Sequence, residues 1–282
     1  MKNVIMKKYH GLGNDYLILD PNRNTIPLHT RYVEVLCRRN FGVGADGILY
    51  GPIYEDKEIR LEIYNPDGSR AEGSGNGVRI FAKYLLDEGY IQREKVSILT
   101  DSGEVEIEFL EETGNRMRVN MGKPDFASDS VVVSGITDKE VVNEPFIFDG
   151  SVYNATCLFL GNPNCVIMME EIGQKMALEL GPFVEGAEYF PKRMNMQLLK
   201  ILDKKNLQIE IYERGAGYTL ASGTGACAAA ATAYRMGLVE EVVTVHMPGG
   251  ELLIEIAPDY TIFLTGDVSY VGEICLAENF LV

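Results

Sequence analysis

Ser74-Gly75-Asn76-Gly77 and Ser222-Gly223-Thr224-Gly225 are the stretches that decide the fold. They are almost the same tetrapeptide, and positions 74 and 222 differ by 148. Each opens a helical run that ends in glycine, at Gly89 and at Gly237. The same offset returns on the way outward. Gly13-Asn14 recurs as Gly161-Asn162, and Glu62-Ile63-Tyr64 recurs as Glu210-Ile211-Tyr212. Beyond the helical runs, Gly103-Glu104 followed by Val-Glu-Ile-Glu answers Gly250-Glu251 followed by Leu-Leu-Ile-Glu, with the offset slipped by one. Any one pair is chance, but several landmarks in one register are a duplication. The expected architecture is two homologous domains, residues 1–127 and 128–282, related by a pseudo-twofold axis. The C-terminal tail is expected to cross back to the first domain.

Within each half, short β-rich segments bounded by turn residues dominate. They are expected at 4–8, 16–20, 61–64, 96–100, 105–109 and 116–121, and again at 155–160, 165–170, 208–212, 242–246, 252–256 and 261–265. Helices are expected at 30–40 and 77–88, then at 172–180 and 225–236. The fold class is α+β: in each domain a curved, mostly antiparallel sheet wraps a central helix. Ala228, Ala229, Ala231 and Thr232 give the second of these helices a face small enough to be enclosed closely.

Composition narrows the function. The 282 residues are 46% hydrophobic and 24% charged, ordinary for a globular protein with two cores. A formal net charge of −15 repels a phosphate backbone, so nucleic acid is not an expected partner. An anionic small molecule stays possible, because a local pocket can be positive on an acidic protein. Cys37, Cys157, Cys165, Cys227 and Cys275 form no CxxC pair and read as free thiols in a reducing compartment. No apolar run reaches the roughly 18 residues that span a bilayer, and the first residues lack a signal-peptide core. A cytoplasmic protein with no membrane partner is expected. His10, His29 and His246 are scattered and make no metal-ligand pattern.

A glycine-rich turn leading into a helix presents unpaired backbone N–H groups at the positive end of the helix dipole, where carboxylates bind. One such turn is a weak signal. Two of them, each following a Glu-Ile-Tyr strand, can face each other and grip one carboxylate from both sides. That arrangement suits inversion of a stereocentre, which needs a base on one face and a proton donor on the other. The first residue of each tetrapeptide occupies the position for that work. A cysteine there qualifies, since its reference pKa of about 8.5 falls at a helix N-terminus. Serine does not, because its hydroxyl is far less acidic and no histidine or lysine adjoins Ser74 or Ser222 in sequence.

At these residues the chain resembles the diaminopimelate epimerase family, over essentially its whole length. The matching stretches include Lys8-Tyr-His-Gly-Leu-Gly-Asn-Asp15, Arg39-Asn-Phe-Gly-Val-Gly-Ala-Asp-Gly47 and Asn65-Pro-Asp-Gly-Ser69. Gly75-Asn-Gly77, Gly161-Asn-Pro163, Glu213-Arg-Gly-Ala-Gly217 and Gly223-Thr-Gly-Ala-Cys227 complete them. The resemblance implies an isomerase that uses neither pyridoxal phosphate nor metal. One thiolate removes the α-proton and a second thiol reprotonates the opposite face. In the family both thiols belong to cysteines, at the positions of Ser74 and Ser222. Carried over residue by residue, Asn14, Asn65, Asn162, Asn195, Glu213 and Arg214 hold the distal amino and carboxylate ends of the amino acid substrate. Backbone groups of Gly75, Asn76, Gly223 and Thr224 hold the reacting carboxylate. A homodimer is implied as well.

Four departures from the family pattern stand out: Ser74, Ser222, Asn164 after Gly-Asn-Pro and Tyr218 after Gly-Ala-Gly. The last two are candidate specificity residues beside the reacting centre, in place of the family's histidine and glutamate. Three readings follow. The chain is an epimerase of LL- and meso-diaminopimelate, or a racemase of another amino acid, stilled by cysteine-to-serine replacement. Alternatively it is a serine-bearing relative that binds an amino acid without turnover. The third reading is a double-bond isomerase on the same duplicated fold, against which the Glu213-Arg214 pair argues.

Overall fold

The computed structural model describes residues 4–280 apart from 27, 56, 57, 93, 138 and 279. The chain divides into two compact units, Met1–Val119 with Gly266–Val282, and Asn120–Thr265.

In the first unit β1 (Ile5–Gly11) and β2 (Asn14–Leu19) form an antiparallel hairpin, followed by α1 (Thr30–Cys37). Next, β3 (Gly47–Glu55) lies parallel to β2 and antiparallel to β4 (Glu58–Tyr64). A two-residue strand, β5 (Arg70–Ala71), pairs with the end of β4 and leads into α2 (Gly75–Asp87). Strand β6 (Lys95–Thr100) runs parallel to β4, and β7 (Gly103–Phe109) and β8 (Arg116–Gly122) follow as antiparallel neighbours.

The second unit begins with one helical turn, α3 (Ser128–Val131), and β9 (Val141–Phe148). The order of the first unit then repeats. Strands β10 (Ser151–Phe159) and β11 (Pro163–Met168) are antiparallel, α4 (Gln174–Glu185) follows, and β12 (Asn195–Asp203) runs parallel to β11. Then come β13 (Asn206–Glu213), the short β14 (Gly217–Thr219), α5 (Gly223–Arg235), and β15 (Val242–Met247) parallel to β13. Strands β16 (Gly250–Ile256) and β17 (Ile262–Asp267) close the series. The outer neighbour of β10 is β9, which precedes it, whereas the outer neighbour of β1 is β18 (Ser269–Cys275), from the far end of the chain. Most pairings are antiparallel, so both units are the mixed α+β sheets expected from the sequence.

Each sheet encloses one helix. Every residue of α2 from Gly75 to Leu85 is buried, and so is every residue of α5 from Gly223 to Ala233. A helix buried all round must be apolar or small on all faces. The run Ala226 to Ala233 meets that demand with small side chains, whereas α2 carries Arg79 and Lys83 inside. Both helices end as the sequence suggests, with Gly89 at φ +73° and Gly237 at φ +71°. There the backbone N–H of Tyr90 returns to Leu85 and that of Leu238 to Ala233. The remaining helices cover the opposite faces of the sheets: Val33 and Leu36 of α1 join Met6, Leu17 and Ile48, and Ala177, Leu180 and Val184 of α4 join Phe146, Met196 and Leu198.

The structure differs from the sequence reading in several elements. Strands β3, β5, β9, β12, β14 and β18 and the turn α3 were not anticipated. In β3 the Gly51-Pro52 step reads as a breaker, and the ladder accommodates it with a register shift between Tyr50 and Ile53. In β12 the leucines and methionine of Met196 to Leu199 lack the β-branched signature, and burial of the strand overrides propensity. Helix α1 stops at Cys37, three residues early, where the chain turns and the Gly42 N–H closes onto Arg38 O. Helix α4 runs on past its expected end, through Gly181 and Pro182 to Glu185.

Gly181 shows why. A Cβ placed there would lie 2.2 Å from Tyr212 Cγ and 2.8 Å from Tyr212 Cβ, so the glycine lets α4 approach β13. Gly181→Ala is expected to destabilise the protein by about 1–3 kcal/mol through overpacking. A thermal or denaturant melt checks this, and an unchanged midpoint would show that Tyr212 yields freely.

Candidate active site

Ser74 is the N-cap of α2. Its backbone is extended, at φ −151° and ψ 118°, and its Oγ accepts the Gly77 N–H at 3.0 Å. Ser222 is the N-cap of α5, at φ −140° and ψ 123°, with its Oγ accepting the Gly225 N–H at 3.2 Å. Both serines therefore satisfy one of the helix's unpaired donors and stand at the positive end of its dipole. Gly77 and Gly225 sit in tight surroundings, since a Cβ on either would approach the serine Cβ to 3.1 Å and force a small shift.

In the first unit, Asn76 Nδ2 donates to Asn14 Oδ1 at 3.0 Å, and Asn14 Nδ2 donates to Asp46 Oδ2 at 3.0 Å. Arg79, one turn into α2, reaches back to Gly75 O at 3.1 Å and to Asn76 Oδ1 at 2.7 Å. The helix start is thus tied through Asn14 to a charged cluster. Arg39 bridges Asp15 and Asp46 at 2.7 and 2.6 Å, and Lys8 Nζ lies 2.7 Å from Asp15. Burial raises the Asp15 pKa, but Arg39 and Lys8 together outweigh it and hold the carboxyl below its usual range. Burial and the neighbouring Asp15 charge push Asp46 up instead. Asn65 sits at the end of β4 in a turn, with its Nδ2 on Ser69 Oγ at 3.0 Å and its N–H on Ser69 O. The described hydrogen bonds of this unit do not join it to Ser74 or Asn76.

In the second unit the predicted residues converge more fully. Asn162 Nδ2 donates to Thr224 Oγ1 at 3.2 Å, and Thr224 Oγ1 lies 3.5 Å from Ser222 Oγ. Asn164 is fully buried; its Nδ2 donates to both Asn162 O and Asn162 Oδ1 at 2.8 Å, and its Oδ1 accepts from Gln197 Nε2 at 3.1 Å. Asn195, opposite Asn164 in the β11–β12 ladder, donates to Pro163 O at 2.9 Å and accepts the Arg214 N–H at 2.9 Å. Arg214 is half-buried, and its Nη1 donates to Lys192 O at 3.0 Å. Glu213, also half-buried, ends β13 beside it. Tyr218 on β14 donates its hydroxyl to Glu210 Oε2 at 2.7 Å and packs against the apolar core of this unit. Burial first, and that carboxylate second, raise the Tyr218 pKa.

Sequence reasoning missed Tyr16, Asp46, Arg79 and Gln197. No motif marks them; the 148-residue offset shows only that Tyr16 corresponds to Asn164 and Gln197 to Leu49, so equivalent positions carry unlike side chains. Tyr16 OH lies 3.3 Å from Ser74 Oγ, and a Cβ on Gly225 would lie 3.0 Å from Gln197 Nε2, so both belong to the helix starts. Among the described residues no group of three or more His, Cys, Asp or Glu side chains could hold a metal ion. No described helix is long and apolar enough to cross a membrane.

Comparison with known proteins identifies the family. The family model described as diaminopimelate epimerase matches residues 6–127 and 156–271. A protein of a Nostoc species named diaminopimelate epimerase 2 is 45% identical over 267 residues, covering 94% of this chain and 93% of its own. The diaminopimelate epimerase of Desulfitobacterium hafniense is 37% identical over 280 residues, covering 97% and 98%. Among solved structures, a hydroxyproline epimerase from Agrobacterium vitis superposes with a TM-score of 0.71 at 13% identity, covering 98% of this chain and 93% of its own. The chain belongs to the diaminopimelate epimerase family.

The Tyr218–Glu210 contact gives a pH-dependent expectation. In Tyr218→Glu, the new carboxylate would sit beside Glu210, which is 7% exposed, and like charge together with burial would raise the pKa of the introduced group. Groups whose folded pKa is raised weaken the fold as pH rises through that value. Tyr218→Glu should therefore melt below the parent at pH 7, and the gap should narrow toward pH 5. A constant gap across that range would mean that the carboxylates separate.

Proposed function

We propose that the chain is a cofactor-independent two-base epimerase framework for diaminopimelate, interconverting its LL and meso forms. One observation carries the reading: a side-chain hydroxyl caps the start of a buried helix in each unit of a chain that belongs to this family. Inversion needs one proton-transfer group for each face of the α-carbon, and a duplicated fold supplies two equivalent positions. Helix geometry leaves the first N–H groups of α2 and α5, at Gly75, Asn76, Gly223 and Thr224, to the reacting carboxylate. Negative charge that develops there as the α-proton leaves is stabilised by fixed dipoles rather than by mobile water. Asn14, Asn65, Asn162, Asn195, Glu213 and Arg214 are assigned to the rest of the substrate. A homodimer in the cytoplasm, where free thiols persist, completes the proposal.

Ser74 and Ser222 set the rate. A serine hydroxyl does not give up its proton near neutral pH, so the chain as it stands is expected to turn over very slowly. Ser74→Cys/Ser222→Cys is expected to restore epimerisation, read as solvent deuterium entering the α-carbon with inversion. Equal rates in the two forms would remove the thiol argument.

Arg214 is assigned to the second charged end of the substrate. Lysine cannot reproduce a bidentate guanidinium–carboxylate pair. Arg214→Lys should weaken binding of diaminopimelate by roughly 2 kcal/mol, and leave binding of a monocarboxylate amino acid nearly unchanged. Calorimetry on the serine form reads both. An equal loss for the two ligands would give Arg214 a structural role through Lys192.

A further inference from the structure

The two helix starts are equivalent in backbone but not in chemistry. Beside Ser74 Oγ, at 3.3 Å, stands the hydroxyl of Tyr16. The position 148 residues on from Tyr16 is Asn164, whose amide is engaged by Asn162 and Gln197. The described polar neighbours of Ser222 Oγ are the Gly225 N–H and Thr224 Oγ1. Asn162, Asn164 and Gln197 continue from Thr224 as a chain of amides. A phenol, with an ordinary pKa of about 10, is thus present at one start. The other start has hydroxyls and amides, which do not ionise in the working range of a protein.

The fold holds the phenol in place. Tyr16 lies on β2, opposite Tyr9 of β1 and beside Gly47 of β3. A Cβ on Gly47 would come within 2.7 Å of Tyr16 Cε1 and 2.5 Å of Tyr64 O, so the glycine makes room for the ring. With 8% of its surface exposed, Tyr16 has little freedom to turn away. The charged groups around it are paired. On the face that packs against α2, Arg79 is held by Gly75 O and Asn76, while Tyr9 and Lys83 both reach Asp87. On β4, Tyr64 donates to Glu62, which also receives Arg70. Asp15, next in sequence and on the other face of β2, is held by Lys8 and Arg39, and Arg39 also binds Asp46. Arg79 is a fully buried cation on α2, the helix that Ser74 caps.

We propose that Tyr16 and Ser74 form a proton-relay pair, through which the serine form exchanges the α-hydrogen of its substrate on one face only. The inference rests on the proposed function, because it needs an amino acid at these helix starts. In the step, the α C–H bond breaks and its proton passes to Ser74 Oγ. The hydroxyl proton of Ser74 passes in concert to the Tyr16 phenolate, forming the neutral phenol. The C–H electron pair stays on the α-carbon, delocalised into the carboxylate at the helix start. The phenol then exchanges its proton with solvent, and the reverse step returns a solvent hydrogen to the same face. Among the described residues, Ser222 Oγ hydrogen-bonds only to groups that do not ionise, so nothing there absorbs the charge left if it gives its proton away, and inversion lags behind exchange. Tyr16 acts through Ser74 and is a positioning and relay residue.

The test follows deuterium entering the α-carbon of LL-diaminopimelate in heavy water, with the configuration of the product analysed in parallel. The expected result is slow exchange with retained configuration, rising about tenfold per pH unit above pH 7 toward the ordinary phenol range. Tyr16→Phe should lower that exchange at least tenfold and abolish its pH dependence, with affinity by calorimetry changed less than twofold. Ser74→Ala keeps the phenol but breaks the relay, and should lose exchange equally. No detectable exchange in the parent, equal exchange in Tyr16→Phe, or inversion keeping pace with exchange would each overturn the relay. The Ser74→Cys/Ser222→Cys form separates the two levels. If it epimerises diaminopimelate while the relay results fail, only the relay falls, and if it does not, the proposed function falls.

Discussion

A helix enclosed by a sheet must finish its N-terminal hydrogen bonds inside the protein, and that constraint organises each unit. Water cannot reach the first turn of α2 or α5 freely, and each unmet buried donor costs about 1–3 kcal/mol. One hydroxyl satisfies one donor in each case, from Ser74 to Gly77 and from Ser222 to Gly225. The cap position is therefore structural and chemical at once. The atom that ends the helix is also the atom that meets whatever anion the remaining donors attract. Cysteine would cap more weakly than serine, since sulfur is a poor acceptor, so the serine form trades proton chemistry for a firmer helix start.

Around that constraint the two units differ in how they brace the helix. The first uses charge: Arg79 holds Asn76, Asn76 holds Asn14, and Asn14 leans on the Asp15–Asp46–Arg39 cluster. The second uses neutral amides, from Thr224 through Asn162 and Asn164 to Gln197. An ionic brace responds to pH and salt, whereas an amide brace does not. The two helix starts share their backbone geometry and differ in the chemistry that supports it.

Much of this was legible in the sequence. The 148-residue offset placed both helix starts and both terminating glycines, because those positions depend on local backbone geometry that residue type records directly. Family membership followed from motifs that lie mostly in turns around the same positions. What escaped the sequence depended on tertiary context. The first half of strand β12, Asn195 to Leu199, has no β-branched residue, and Gly181-Pro182 imitates a helix stop that packing against Tyr212 overrides. Tyr16 reads as a core aromatic of a β-strand, and only the approach of α2 brings its hydroxyl to Ser74.

The outer strand of each unit comes from a different place in the chain. Strand β9 is made just before its partner β10, whereas β1 waits for β18, more than 250 residues downstream. During synthesis the second unit can therefore close its sheet as it emerges, while the first holds an unpaired edge until residues 269–275 arrive. Contacts of such long sequence separation form slowly, and an open edge strand is a template for pairing with other chains. The half that starts first at the ribosome is the half that finishes last.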